Sequence, residues 1–95
     1  MFFVYALHSS AFGKIYIGFS PDPEKRLLAH NDFRNDGWTR SFQPWTLVYT
    51  ERCLTKKYAL KREKQLKSSR GRNFIRAIIN YNQFHFEHLS KAEDC

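Results

Sequence analysis

Cysteine is almost absent from this chain. Its two copies, Cys53 and Cys95, lack CxxC spacing, and the second is the last residue. That excludes a cysteine zinc site and a disulfide framework, and makes a reducing cytoplasm the simplest compartment. Long apolar runs are missing as well. Met1-Phe2-Phe3-Val4-Tyr5-Ala6-Leu7 is apolar but short, with no basic region before it. Neither a signal peptide nor a membrane span is expected there. No internal repeat, linker or low-complexity segment is visible. Acidic residues are few: 9 Asp and Glu against 16 Lys and Arg, a net charge of +7. An excess of this sign fits a polyanionic partner, although a solvated basic surface would carry it too.

The 95 residues suit one domain. The apolar fraction is 42% and the aromatic fraction 17%, enough for one compact core. A chain this short buries a modest share of its surface and has little stability to spare. A charge turned inward is therefore costly and asks for an explanation.

Phe2 to Leu7 is aromatic and β-branched, which predicts a strand. Ser9, Ser10 and Gly13 mark a turn, and Ile15 to Phe19 predicts a second strand, giving a hairpin. Alternation then sets Tyr16 and Gly18 on one face and Ile15, Ile17 and Phe19 on the other. Asp22-Pro23-Glu24 starts a first helix, through Arg26 and His30 to about Phe33. Asn31 to Pro44 is polar, with a turn at Asn35-Asp36-Gly37. Trp45 to Glu51 predicts a third strand. Thr55 caps a second helix, Lys56 to about Ser68, which Arg70-Gly71-Arg72-Asn73 breaks. A third helix follows from about Asn73 to Tyr81, with Phe74, Ala77, Ile78 and Tyr81 as its apolar stripe. Beyond Asn82, Phe84 and Phe86 fit a short strand or loose packing, and Ser90 to Cys95 is expected to fray. The expected fold is α+β: a small, mostly antiparallel three-stranded sheet, the hairpin plus one strand, flanked by three helices in the order β-β-α-β-α-α. Residues 1–82 form the domain and 83–95 a tail.

Glu63 is the first chemical anomaly. Ala59, Glu63 and Leu66 fall at i, i+4 and i+7, the spacing of a buried stripe. The carboxylate either pairs with Lys67, sits at a wet boundary, or binds a divalent metal; one carboxylate with waters and a substrate phosphate suits magnesium. Arg26 and His30, four apart, project from one side of their helix. The arginine fork suits phosphate oxygens, and the imidazole can orient water or donate to a leaving oxygen. A solvated helix face would explain both equally. Tyr5 and Tyr16 lie on the two hairpin strands. As active groups they need nearby arginine or metal charge to lower the phenol pKa; otherwise they are core or sheet aromatics. Lys56, Lys57, Lys61, Arg62, Lys64, Lys67, Arg70, Arg72 and Arg76 form a nearly continuous basic stretch. It suits non-specific phosphate contacts, or an ordinary solvated helix.

Together these residues resemble the GIY-YIG endonuclease superfamily, in its small stand-alone, single-domain branch related to the excision-repair nuclease domain. Tyr16-Ile17-Gly18 is the second signature tripeptide intact. Phe3-Val4-Tyr5 keeps the tyrosine of the first, with Phe3 in place of glycine and Val4 in place of isoleucine. Arg26 stands at the family's helix arginine, with His30 after it. Ala59 to Lys67 resembles the helix bearing the metal-binding glutamate, which matches Glu63. Pro44 to Tyr49 resembles the third strand. The likeness runs from about Phe2 to Ile79. Phe19 stands where some members have a lysine just after YIG, and Asn73 is near the asparagine that many members carry after the metal helix.

The resemblance implies one-metal hydrolysis of a DNA phosphodiester. Tyr5 or Tyr16 would activate water, Arg26 would steady the phosphate, and His30 would support them. Glu63 would hold Mg2+ or Mn2+. Lys56, Lys57, Lys61, Lys64, Lys67, Arg70 and Arg72 are the expected contacts to DNA backbone phosphates. No zinc finger or added helix-turn-helix is evident, so selectivity is expected from DNA structure, a partner protein or self-association. No membrane partner is expected. A non-catalytic nucleic-acid-binding module on the same fold is the alternative. A protein-interaction domain using Phe33, Trp38, Phe42 and Trp45 is a third reading, and it leaves Arg26, His30 and Glu63 unexplained.

Overall fold

The structure is a computed structural model that describes the backbone of residues 1–93 and the side chains of residues 1–83. Strand β1 (Phe2–Ser9) and strand β2 (Lys14–Ser20) form the expected antiparallel hairpin, with Tyr5 opposite Gly18 and Leu7 opposite Tyr16. Strand β3 (Thr46–Cys53) pairs antiparallel with the other edge of β1, so the sheet order is β2-β1-β3. The register shifts between Ala6 and Leu7, where β3 carries one extra residue. Helix α1 (Pro23–Asn31) starts as expected: the Asp22 carboxylate accepts from the Lys25 amide at 3.1 Å. Thr55 caps helix α2 (Lys56–Lys67) by accepting from the Tyr58 amide at 3.2 Å. The polar stretch between α1 and β3 contains a 3-10 turn, Trp38–Phe42. The α+β fold and its element order are those expected.

The alternation of β1 divides the molecule. Val4 and Ala6 join Ile15 and Ile17 of β2 in a core closed by Ala59 and Leu66 of α2 and two residues of the last helix, Ile75 and Ile79. Tyr5 and Leu7 point the other way and form a second cluster with Trp45, flanked by Tyr16, Leu27 and Phe42. The sheet is thus covered on one face by the last two helices and on the other by α1 and the 3-10 turn.

The last helix, α3, spans Ser69–Glu93 and differs from expectation in two ways. First, Arg70 to Asn73 does not break the chain; they lie in its opening turns. The break is at Ser68, whose hydroxyl donates to the Gln65 carbonyl at 2.6 Å and accepts from the Gly71 amide at 3.2 Å. One side chain ends α2 and starts α3. Gly71 is there for packing: a Cβ would collide with the Leu66 backbone and, at 2.5 Å, with the Gln65 carbonyl. Second, the buried stripe is Gly71, Ile75 and Ile79, with Ile78 half-buried, because the earlier start sets those positions inward. Phe74 is 47% and Tyr81 65% exposed, and Ala77 is exposed too. The α3 backbone continues as helix through Phe84 and Phe86. The fraying expected for Ser90 to Cys95 lies outside the fully described residues. Among the described residues, no helix is long and apolar enough to cross a membrane.

Ile75→Ala should cost about 2–5 kcal/mol of unfolding free energy, and Phe74→Ala about 1 kcal/mol. Urea titration followed by circular dichroism measures both. Should Ile75→Ala fail to fold, Ile75→Val replaces it, with an expected loss of about 0.5–1.5 kcal/mol. A larger loss at Phe74 than at Ile75 would contradict this packing.

Candidate active site

Tyr5 is on the middle strand and only 1% exposed. Its ring passes over Gly18, the residue opposite it on β2. A Cβ on Gly18 would sit 2.7 Å from the Tyr5 hydroxyl oxygen and 2.8 Å from the ring. Glycine at this place in the tripeptide is therefore a demand of the neighbouring strand. The Tyr5 hydroxyl and His30 Nε2 share a hydrogen bond of 3.3 Å. The His30 ring also lies 4.6 Å from the Tyr16 ring, centroid to centroid. Both tyrosines and the histidine thus meet on the sheet face beneath α1.

The segment after α1 holds the histidine. Thr39 Oγ1 lies 3.0 Å from His30 Nδ1 and accepts from Asn35 Nδ2 at 2.7 Å. Gln43 Nε2 donates to the His30 and Asp32 carbonyls, both at 2.8 Å, which satisfies the C-terminus of α1. Asn31 grips the Trp45 backbone in both directions, at 3.0 and 2.7 Å. Trp45 Nε1 in turn donates to the Thr39 carbonyl at 2.7 Å. A polar stretch with no long regular element is fixed this way at both ends. Thr39, Asn35 and Gln43 were not singled out by the sequence. Their only local signal is the Asn35-Asp36-Gly37 turn, which says nothing of what the turn grips.

Charge decides the protonation states. Burial pushes the His30 imidazole below its ordinary value, and Arg26 adds to the effect, so the ring is neutral near pH 7. For Tyr5 the expectation of a lowered phenol pKa is not met by the protein's own groups. Burial raises it, with Tyr16 and Glu63 acting the same way, and outweighs the opposite pull of the Arg26 side chain. The same balance puts Tyr5 within electrostatic reach of Arg26, Tyr16 and Glu63. Tyr16 is less enclosed. With Arg26, His30, Trp38 and Thr39 it lines a cavity of about 240 Å³. It also lines an adjoining cavity of about 420 Å³, whose wall includes Lys14, Trp38, Lys67, Arg72 and Arg76. Tyr16 is thus the tyrosine that solvent and a ligand can reach.

Glu63 lies on the flank of α2 that carries Lys67. Its side chain is 17% exposed, and Lys67 Nζ is 2.8 Å from its Oε1. The pairing weighed as the simple alternative is therefore present. An i,i+4 pair of this kind is worth only about 0.3–0.5 kcal/mol, weak enough for a divalent ion to displace. Among the described residues no three His, Cys, Asp or Glu gather as a protein-only metal cage. A single, partly exposed carboxylate still fits magnesium, which keeps several waters and takes other ligands from substrate phosphate. The Arg62 guanidinium grips Glu51 of β3 with Nε–Oε2 at 2.6 Å and Nη2–Oε1 at 2.9 Å. That fork braces α2 against the sheet.

The basic stretch does not act as a unit. Lys67 and Arg72 line the 420 Å³ cavity. Arg70 lines a different one of about 640 Å³ at the α2–α3 junction, with Gln65 and Phe74. That cavity is larger but contains none of the tyrosine, histidine or carboxylate groups. Lys56, Lys57, Lys61 and Lys64 are exposed along α2 and line neither cavity.

Comparison with known proteins gives one family. The profile of the GIY-YIG catalytic domain matches residues 1–76. A UPF0213 protein of Staphylococcus saprophyticus is 41% identical over 56 residues, covering 59% of this chain and 68% of its own. One from Staphylococcus aureus strain N315 is 36% identical over 76 residues, covering 80% of this chain and 92% of its own. One from Bacillus pumilus is 36% identical over 56 residues, covering 59% and 57%. These names state no activity. No solved structure matches.

The buried histidine predicts an acid sensitivity. The folded pKa of His30 lies below its ordinary 6.5, as does that of His8, where burial and Arg76 both lower it. Between the lowered value and 6.5 the unfolded chain binds more protons than the folded one, so stability falls as pH drops through that window. The melting temperature should fall on going from pH 7 towards pH 5, and less steeply in His30→Gln. An equal fall in both proteins would remove His30 from the account.

Proposed function

Because this chain belongs to the GIY-YIG catalytic domain family, a family of nucleases, we propose that it is a metal-dependent DNA endonuclease. It hydrolyses phosphodiester bonds, selects by DNA structure, and serves cytoplasmic DNA repair or recombination. The nuclease unit is residues 1–82, and selectivity has a further source in a partner protein or in self-association. The observation that carries the reading is convergence. Tyr5, Tyr16 and His30 meet on one face, and Arg26 lines a cavity with Tyr16 and His30.

Arg26 binds the non-bridging oxygens of the reacting phosphate and stabilises the charge that builds there during attack. Tyr16 faces the cavity and activates the attacking water. Tyr5, buried over Gly18, holds His30 and the Tyr16 ring in place. His30, neutral and fixed by Thr39, orients the water and phosphate. Glu63 would hold the Mg2+ or Mn2+ ion, which supplies Lewis acidity at the leaving oxygen and positive charge that favours the phenolate. Lys67, now paired with Glu63, would be free to contact phosphates if that carboxylate held the ion.

Cleavage of a labelled DNA panel (duplex, single strand, flap, four-way junction) tests the reading. Cutting should require Mg2+ or Mn2+ and stop with EDTA. Glu63→Gln and Arg26→Ala should each lower the rate roughly 10²–10³-fold while keeping the fold. Tyr16→Phe should lose far more than Tyr5→Phe, provided both fold. Equal, small losses would sink the tyrosine assignment. Binding without cutting on every substrate would leave a nucleic-acid-binding module on the same fold.

A further inference from the structure

The two cavities at Tyr16 are neighbours at the edge of the sheet and begin a row of pockets, a trough. Both are lined by Tyr16 and Trp38. A third, of about 210 Å³, continues from the second through Ile15 and Arg76 to His8 and Asn80. The trough is possible because β2 is an edge strand. One wall comes from the α1 side of the sheet and the other from α2 and α3, so groups from opposite layers meet around β2. Arg72 closes that edge: its Nη1 approaches the Ile15 carbonyl at 3.5 Å and its Nε donates to the Lys67 carbonyl at 3.2 Å.

The electrostatics of this path have one sign. Lys14, Arg26, Lys67, Arg72 and Arg76 line it, and among the described residues no Asp or Glu does. Lys14 is held there by the Phe42 ring, with its ammonium 5.4 Å from the ring centre. At the far end, burial lowers the His8 pKa and Arg76 adds to the effect. Lys67 is paired with Glu63, but Lys14, Arg26, Arg72 and Arg76 make no ion pair among the described residues, so they repel one another and are stabilised by a polyanion threaded between them.

We propose that this trough is the track of the DNA strand carrying the reacting phosphate. That strand's sugar-phosphate backbone runs from Arg26, past Tyr16 and Trp38, along the β2 edge to Arg76. The exposed lysines at the start of α2 lie off the track. Lys56 is 11 residues from Lys67, roughly 16 Å along the helix. This rests on the nucleic-acid reading of the site but not on catalysis.

The test is binding in EDTA, where no cleavage occurs, by fluorescence anisotropy of a labelled short single strand and a labelled duplex. Lys14→Ala/Arg76→Ala is compared with Lys56→Ala/Lys57→Ala, which removes the same charge. Both pairs are exposed, and circular dichroism checks that each variant folds. The trough pair should weaken binding about tenfold or more at low salt and lower the salt slope by roughly 1.4–1.8. The α2 pair should lose no more than about threefold. Equal losses from both pairs would overturn the track and leave the nuclease reading intact. Wild-type protein that binds neither DNA at low salt would overturn both.

Discussion

Tyr5 lies on the middle strand of a three-stranded sheet, with its ring over Gly18 and its hydroxyl against His30. The rest of the candidate site follows from that position. A central strand has neighbours on both sides, so its side-chain alternation is fixed by two registers at once. Val4 and Ala6 are committed to the core under α2 and α3, which sends Tyr5 and Leu7 to the opposite face. A side chain as large as tyrosine fits there because the strand beside it has no side chain at Gly18. The buried phenol then needs a polar partner, and His30 supplies it from α1. Thr39, Asn35 and Gln43 lock the histidine in turn.

The second constraint is the sheet order. With β1 in the middle, β2 is left as an edge, and an unprotected edge is a liability in a small basic protein. Arg72 covers part of it, and Lys14, Lys67 and Arg76 gather round the rest. The device that protects the edge also leaves a positively charged passage beside Tyr16. Glu63, on α2, is paired with Lys67, which lines that passage. In a chain with +7 net charge, a partly buried carboxylate is surrounded by a favourable positive field, to which the weak pair with Lys67 adds little.

Much of this was legible in the residues. The hairpin, the Asp22 and Thr55 caps and the two-faced alternation follow from local patterns, and the structure reproduces them. The third helix was misjudged because Arg70-Gly71-Arg72 reads as a breaker locally. Only the close crossing at Leu66 shows why glycine is needed inside that helix. Likewise, burial at Tyr5 outweighs Arg26, a balance of environment that no spacing encodes. The grip of Thr39 and Asn35 on His30 is a contact between a loop and the helix before it, set by tertiary closure. The basic stretch looked continuous along the chain, yet α2 and α3 distribute it over different surfaces, and Lys14 joins the trough from far away in sequence.

On the proposed reading, metal, phosphate and tyrosine meet at the β2 edge, between Glu63 and Arg26. Anomalous diffraction from manganese, in crystals grown with a short DNA carrying a non-hydrolysable phosphorothioate, tests it directly. A manganese peak is expected roughly 2 Å from a Glu63 carboxylate oxygen. Lys67 should be turned away from that oxygen, and a backbone phosphate should lie between Arg26 and Tyr16. Manganese elsewhere, or DNA lying along the exposed face of α2 with the trough empty, would contradict it.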